Sequence, residues 1–432
     1  MDNYFVGNGV AQPDADSLLR QVMSDILDAP VAKGVNTGNK KVQEDTNEGL
    51  GYSITLENPL DRIVSNDAYK LDLPVAVARF VWMISGNNRL ADIKFYHKPV
   101  ENFSDDGIII PGSSYGARIR QAFPGIDQLK GVIEKLKSDS NSRRAAISIY
   151  QPTDATRDSK DVPCAFGMFF HIRNNVLHTQ VVMRSNNATL LLPFNIFEFS
   201  LLGEVIAAEC GVELGPLKHY AASMHVYSSA KDWAQKIADD GGTKKSKPMM
   251  AMPREPVSLD HIRALVAFEA ELRHKSEAIN DESISDWIER IQNDFVVYWQ
   301  QFAFLLMVTV ARRKCSEDGL SELRAAMLGD LASVVNWQPQ RDASVQEEAL
   351  TAAASILNSG NENIVLFHDT KTSKSLQRHV LNREMDAGEQ LPTATVFKLQ
   401  ERFTQDIAAR GDDVEISAEE FEAAVSDIDN LS

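Results

Sequence analysis

The run from Ala165 to Cys210 constrains the fold most: two stretches of strand character, 166–172 and 176–183, lead into a long helix, Phe197–Cys210, rich in Leu, Ile and Ala. Short alternating stretches read as half-buried strands, and a helix that is apolar on every side has to be buried. A third strand is expected over 145–150, after a helix over 125–138. Helical spacing of apolar residues also marks 15–28, behind the start signals Pro13-Asp14 and Asp16-Ser17, and 73–86, which closes on a Ser85-Gly86 stop. This alternation is compatible with a mixed α/β (α+β) layer and fits more than one fold of that class.

Length leaves room for more than this layer, since 432 residues amount to two or three domains at ~100–200 residues each. The polar tract Gly241-Gly242-Thr243-Lys244-Lys245-Ser246-Lys247-Pro248 reads as part of a linker over 239–256. It separates residues 1–238 from a helical region, 257–432, whose pattern suggests helices Val257–Leu272, Ile284–Val310, Leu320–Val335 and Val345–Leu357 before an acidic tail from Gly411. That region reads as an appended module for dimer support or for a partner. Between Val35 and Leu50 the composition turns to Asn, Gly, Lys and Glu, the pattern of a mobile loop.

A net charge of −17 argues against a nucleic-acid-coating protein, so an anionic ligand has to meet a local basic pocket. Cys164, Cys210 and Cys315 have neither metal-ligand spacing nor a disulfide pattern, which fits a reducing compartment and no metal site. The N-terminus lacks a signal-peptide pattern, and the most apolar run, Val296–Ala311, is interrupted by Gln300-Gln301 and falls short of a membrane span. A cytoplasmic protein is expected.

The residues that carry chemistry cluster around Asp161-Val162-Pro163-Cys164 and Arg184-Ser185-Asn186-Asn187, the latter continuing to Leu192-Pro193-Phe194-Asn195. A cysteine becomes a nucleophile when a nearby cation stabilises its thiolate. Arg184, at the end of a strand that returns beside the one after Cys164, is the candidate cation. Asn195 offers one donor and one acceptor, the complement of the N3–H and O4 edge of uracil. Together they equip a site to attack an electron-poor ring next to an anion.

Arg143-Arg144, Pro163-Cys164, Arg184-Ser185, Leu192-Pro193-Phe194-Asn195 and His225-Val226-Tyr227 resemble, in order and spacing, the motifs of thymidylate synthases and the related nucleotide hydroxymethylases. Phe103-Ser104-Asp105-Asp106-Gly107 and Ser159-Lys160-Asp161-Val162-Pro163-Cys164 are similar to the phage-type branch, and the resemblance spans residues 15–235. It implies a homodimer packed through a twisted sheet, with dUMP or a related pyrimidine nucleotide and 5,10-methylenetetrahydrofolate as ligands. Cys164 would be the nucleophile, Arg184 and Ser185 would hold the phosphate, and Arg143 and Arg144 would reach the partner's phosphate. Asn195 would read the base, His225 and Tyr227 the sugar, and Tyr115, in Pro111-Gly112-Ser113-Ser114-Tyr115-Gly116, would lie over the site.

Four departures from the family pattern fall on the catalytic and folate side. Three positions before Trp82, where the family places a glutamate that orders water for proton transfer, this chain has Arg79. Ala165 replaces a histidine, Asn187 an aspartate that contacts the pterin, and Leu191 a glycine at the pyrimidine–folate stack. Lys40 and Lys41 stand in the loop that carries a phosphate-closing arginine in the family. The implied function is methylation or hydroxymethylation of dUMP at C5; the rival reading is a folate-independent or catalytically inactive nucleotide-binding regulator.

Overall fold

The computed structural model describes residues 9–36, 43–122, 126–242, 248–254 and 258–339. In chain order the elements are β1 (Val10–Gln12), α1 (Ala15–Leu27), β2 (Val31–Asn36), β3 (Gln43–Leu56), α2 (Leu73–Ile84), α3 (Leu90–Lys94), α4 (Tyr115–Arg120) and α5 (Gln128–Ser138). They continue with β4 (Ala146–Ser148), β5 (Ala165–Arg173), β6 (Val176–Met183), β7 (Asn186–Asn187), α6 (Leu192–Cys210), β8 (Glu213–Tyr227) and α7 (Lys231–Ala238). The last described elements are α8 (Ser258–His274), α9 (Ile284–Asp294), α10 (Val297–Lys314), α11 (Glu317–Ala326) and α12 (Gly329–Val334).

The strands form one mixed sheet in the order β1-β3-β8-β6-β5-β4, with β2 added beside β3 and β7 beside β8. β5 and β6 make a hairpin closed by Asn174 and Asn175, at φ 53° and 61°. Two successive left-handed residues give the turn whose twist matches paired strands, and asparagine tolerates that conformation. β6 and β8 run parallel, so the chain crosses between them through α6. Pro193 sits in the first turn of that helix, and Gly211, at φ 69°, ends it. Helices α1 and α6 lie on one face of the sheet, α2 packs on α6, and α8 and α10 pack on α2. The mixed α/β class expected from the sequence is the one observed.

Three expectations about individual elements need correcting. The polar stretch from Val35 to Leu50 is not a continuous loop: β2 reaches Asn36 and β3 starts at Gln43, with β3 paired to β8 from Thr46↔Tyr227 to Leu56↔Leu217. Sheet pairing outweighs the polar composition there. The expected helix Ile284–Val310 is broken at Phe295-Val296, both extended, where the Gln300 side chain donates to the Gln292 and Phe295 carbonyls at 3.0 and 2.8 Å. Leu320–Val335 is likewise two helices, parted at Met327-Leu328, whose Leu328 N–H donates to Gln301 Oε1 at 3.1 Å.

The described residues on both sides of 239–256 belong to one compact unit that runs to Pro339. Met249 N–H donates to the Leu60 carbonyl at 2.9 Å, and Met252 is buried. On α6, Glu204 accepts from Met252 N–H at 2.7 Å, Tyr298 Oη at 3.0 Å and Arg62 Nη2 at 2.6 Å. Helix α10 therefore shares a buried polar node with the sheet-covering helix. Lys40, Lys41, the expected helix Val345–Leu357 and the acidic tail lie outside the described residues.

Candidate active site

Cys164 precedes β5 at the point where Arg184, at the end of β6, folds back on it. Arg184 N–H donates to the Cys164 carbonyl at 2.8 Å. Its guanidinium clamps the same turn, Nε donating to the Pro163 carbonyl and Nη2 to the Val162 carbonyl, both at 2.9 Å. The arginine thus fixes the Cys164 backbone and carries a charge beside it. That charge does not dominate: burial pushes the Cys164 thiol up, Arg184 pulls it down and the Asp161 carboxylate pushes it up again, with a net rise. Arg184 does favour the thiolate, the part the sequence assigns it, but burial outweighs that pull.

Asp161 also builds the neighbouring turn. Its Oδ2 accepts from Gly112 N–H at 2.6 Å and Ser113 N–H at 2.7 Å. Gly112 lies so close that a Cβ there would sit 2.2 Å from the Asp161 carbonyl oxygen, and a Cβ on Gly116 would sit 2.0 Å from the Met83 carbonyl oxygen on α2. Only glycine allows those approaches. They deliver Tyr115, 5% exposed, with its ring stacked at 5.9 Å on Phe199. Burial raises its phenol, and the charges of Cys164 and Glu198 raise it further.

Because Asp161 raises the thiol, Asp161→Asn, whose amide oxygen can still accept from Gly112 and Ser113, is expected to lower the Cys164 pKa. Alkylation by iodoacetamide between pH 7 and 9 should then be faster than in wild type; an unchanged profile would remove Asp161 from the thiol's electrostatics.

The Asn195 amide is held by a second amide. Asn195, 3% exposed at the start of α6, accepts at Oδ1 from Asn186 Nδ2 at 2.8 Å, and Asn186 Nδ2 lies 3.5 Å from His219 Nε2. Burial holds His219 at a pKa of about 4, so it is neutral at physiological pH. Pairing of β7 with β8 sets Asn187 beside His225 and brings Ser185 Oγ to 3.4 Å from His225 Nδ1. His225 is also neutral, driven to about 4 chiefly by burial, and its ring lies 5.0 Å from that of Tyr227. Arg143 and Arg144 are exposed and are not brought to this cluster: β4, which they precede, begins opposite Phe169, well along β5 from Cys164.

Arg79 reaches the site from α2. Its Nε donates to Glu198 Oε1 at 2.5 Å, with the two side chains 14% and 3% exposed, and its guanidinium lies 5.2 Å over the Phe194 ring. Burial opposes its charge and Glu198 more than restores it, so the guanidinium titrates above its ordinary value. Glu198 is a residue the sequence reading passed over. Its trace was a carboxylate inside an otherwise apolar helix, where a charge needs a partner. His97, stacked on Phe194 at 6.1 Å and lowered by burial to about 4, was passed over too.

On the opposite side Asn187 turns its Oδ1 into its own loop, accepting from Thr189 N–H at 3.1 Å, Thr189 Oγ1 at 2.9 Å and Leu190 N–H at 2.8 Å. It presents no charged acceptor to a pterin, and Leu191 carries a half-buried side chain beside it. The residues on this side do not fit a folate held as the resemblance implies.

A strand-end thiol clamped by an arginine, a buried amide at a helix start and a His–Tyr pair on the adjoining strand lie at the same end of the sheet. The sequence model of the thymidylate synthase family, described as "Thymidylate synthase", matches residues 22–273, and the chain belongs to that family. It is 31% identical over 199 residues to a deoxyuridylate hydroxymethyltransferase of Bacillus phage SP01, covering 43% of this chain and 51% of that protein. It is 40% identical over 104 residues to a thymidylate synthase of Staphylococcus haemolyticus, covering 24% of this chain and 32% of that one. The chain thus spans about half or less of the length of these curated relatives.

Proposed function

We propose that the chain transfers a one-carbon unit to C5 of deoxyuridine monophosphate. The observation that supports this reading is the Arg184 guanidinium clamped on the Val162-Pro163-Cys164 turn, together with Tyr115 stacked on Phe199, one turn along α6 from Asn195. Cys164, as thiolate, adds to C6 of the uracil ring, and the ring electrons pass to C5 and O4. C5 then attacks an electrophilic carbon of the donor, and the bond broken at that carbon leaves its electron pair on the donor; the C5 proton passes to water, and the electrons it leaves expel the Cys164 thiolate and restore the C5–C6 double bond. Asn195 reads N3–H and O4, Arg184 and Ser185 hold the phosphate, and His225 and Tyr227 bind the sugar hydroxyl.

A second copy completes the site in this reading. The face of the sheet away from α1 and α6 carries Leu50, Phe166, Phe169 and Tyr220, between 36% and 52% exposed. Packed through that face, Arg143 and Arg144 would serve the partner's phosphate. Methylenetetrahydrofolate is the donor that family membership puts first, although Asn187 and Leu191 depart from its expected contacts.

The test is release of tritium from C5-labelled dUMP, with and without methylenetetrahydrofolate, for wild type and Cys164→Ser. Thiol-dependent release is the expected result, and Cys164→Ser should abolish it; a requirement for the folate would identify it as the donor despite Asn187 and Leu191. Release without folate would point to another donor. No release despite tight nucleotide binding would leave a nucleotide-binding regulator.

A further inference from the structure

Addition of a thiolate to C6 moves a pair of electrons onto O4, and a site that accelerates the step needs a donor aimed at that developing oxyanion. The neutral groups near Asn195 do not supply a charge there: His219 and His225 are neutral, and Asn195 itself contributes only an amide. The cation at this end of the site is Arg79. Asn195 and Glu198 are three residues apart on α6 and share one face of it. Arg79 is anchored to Glu198 and lies over the ring of Phe194, the residue next to Asn195. Of the pair Arg79 is the more exposed, 14% against 3% for Glu198.

We propose, building on the C5-transfer reading above, that Arg79 is a catalytic residue: its guanidinium donates to O4 and stabilises the enolate formed when Cys164 adds to C6, while Glu198 is the buried positioning residue that aims it. The electron balance needs nothing further. The S–C6 bond forms, the C5–C6 π pair shifts toward C5 and O4, Arg79 keeps its proton, and elimination of Cys164 reverses the shift. The departure at position 79 then becomes a change of chemistry at the base-binding end, from a carboxylate that orders water to a cation that holds the oxyanion.

The experiment follows loss of the C5 hydrogen of dUMP in deuterated water by proton NMR, with and without methylenetetrahydrofolate, alongside nucleotide Kd and melting temperature. The proteins are wild type, Cys164→Ser, Arg79→Lys and the neutral pair Arg79→Met/Glu198→Gln. Replacing both members of a buried ion pair leaves no lone charge, so the neutral pair should fold and melt close to wild type. It is expected to bind dUMP within about fivefold of wild type and to lose C5 hydrogen about 100-fold more slowly, the scale seen on removing an oxyanion donor. Arg79→Lys should recover part of that rate, because the charge returns without the fork. A neutral pair that exchanges within about threefold of wild type, or whose rate falls only in step with lost nucleotide binding, overturns the proposal. Wild type with no Cys164-dependent loss of the C5 hydrogen would instead sink the C5-transfer reading itself.

Discussion

Arg79→Glu, which restores the residue type that the resemblance puts at this position, is expected to cost about 3–5 kcal/mol of stability rather than to improve activity. The reason is Glu198, 3% exposed and 2.5 Å from Arg79. Removing the cation leaves a buried carboxylate without its partner, and the new glutamate sets a second one beside it. Two carboxylates in one buried site cannot both ionise, so the folded pKa of the pair rises above the unfolded value. Groups shifted that way favour the folded state below the unfolded carboxylate pKa and cease to do so as pH rises through the folded pKa. Urea melts of Arg79→Glu should therefore show a larger deficit from wild type at pH 8 than at pH 5. Adding Glu198→Ser should recover much of the loss at pH 8, since one carboxylate then has the site to itself. Wild-type stability for Arg79→Glu at pH 8 would show that the ion pair contributes little to the fold.

The same helix explains which parts of the molecule were legible in the sequence. Strands β5 and β6 and the helix that follows obey local rules of alternation and apolar periodicity; the strands fall close to where those rules put them, and the helix begins at Leu192 rather than at the expected Phe197. Cys164, Arg184, Ser185, Asn195, His225 and Tyr227 were legible as short motifs, and strand pairing with the α6 crossover collects them at one end of the sheet. Local pattern says nothing of long-range partners. Helix α6 reads as Leu, Ile and Ala, yet it carries Glu198, Glu204 and Glu209, and each meets a cation far along the chain: Arg79, Arg62 and Lys137. The substitution at Arg79 looked like a loss because its counterion lay on another element. Similarly, β3 was hidden because its pairing with β8 lies far away in sequence, and the break at Phe295 because the Gln300 cap acts through the folded chain.

The second of those carboxylates decides whether the helices after residue 257 are an accessory or part of the core. Glu204→Ala is expected to destabilise the protein by about 3–5 kcal/mol, because it strands Arg62, whose side chain is fully buried. The substitution also strips an acceptor from Met252 N–H and Tyr298 Oη, and so loosens the segment that crosses to α8 as well as α10. Tyr298→Phe removes only one of those bonds and should cost about 1 kcal/mol. The spatial pattern separates the two architectures better than the total. With Trp299, Phe302 and Phe304 buried against the same core as α2, α10 should open only when α6 does. Hydrogen exchange by mass spectrometry should then show peptides from 192–210 and 297–314 losing protection together in Glu204→Ala, by the same free energy. An appended module would behave differently: 297–314 would exchange through its own, lower-energy opening while 192–210 kept the protection of the sheet layer. That outcome would move the domain boundary back to 239–256, where composition alone suggests it.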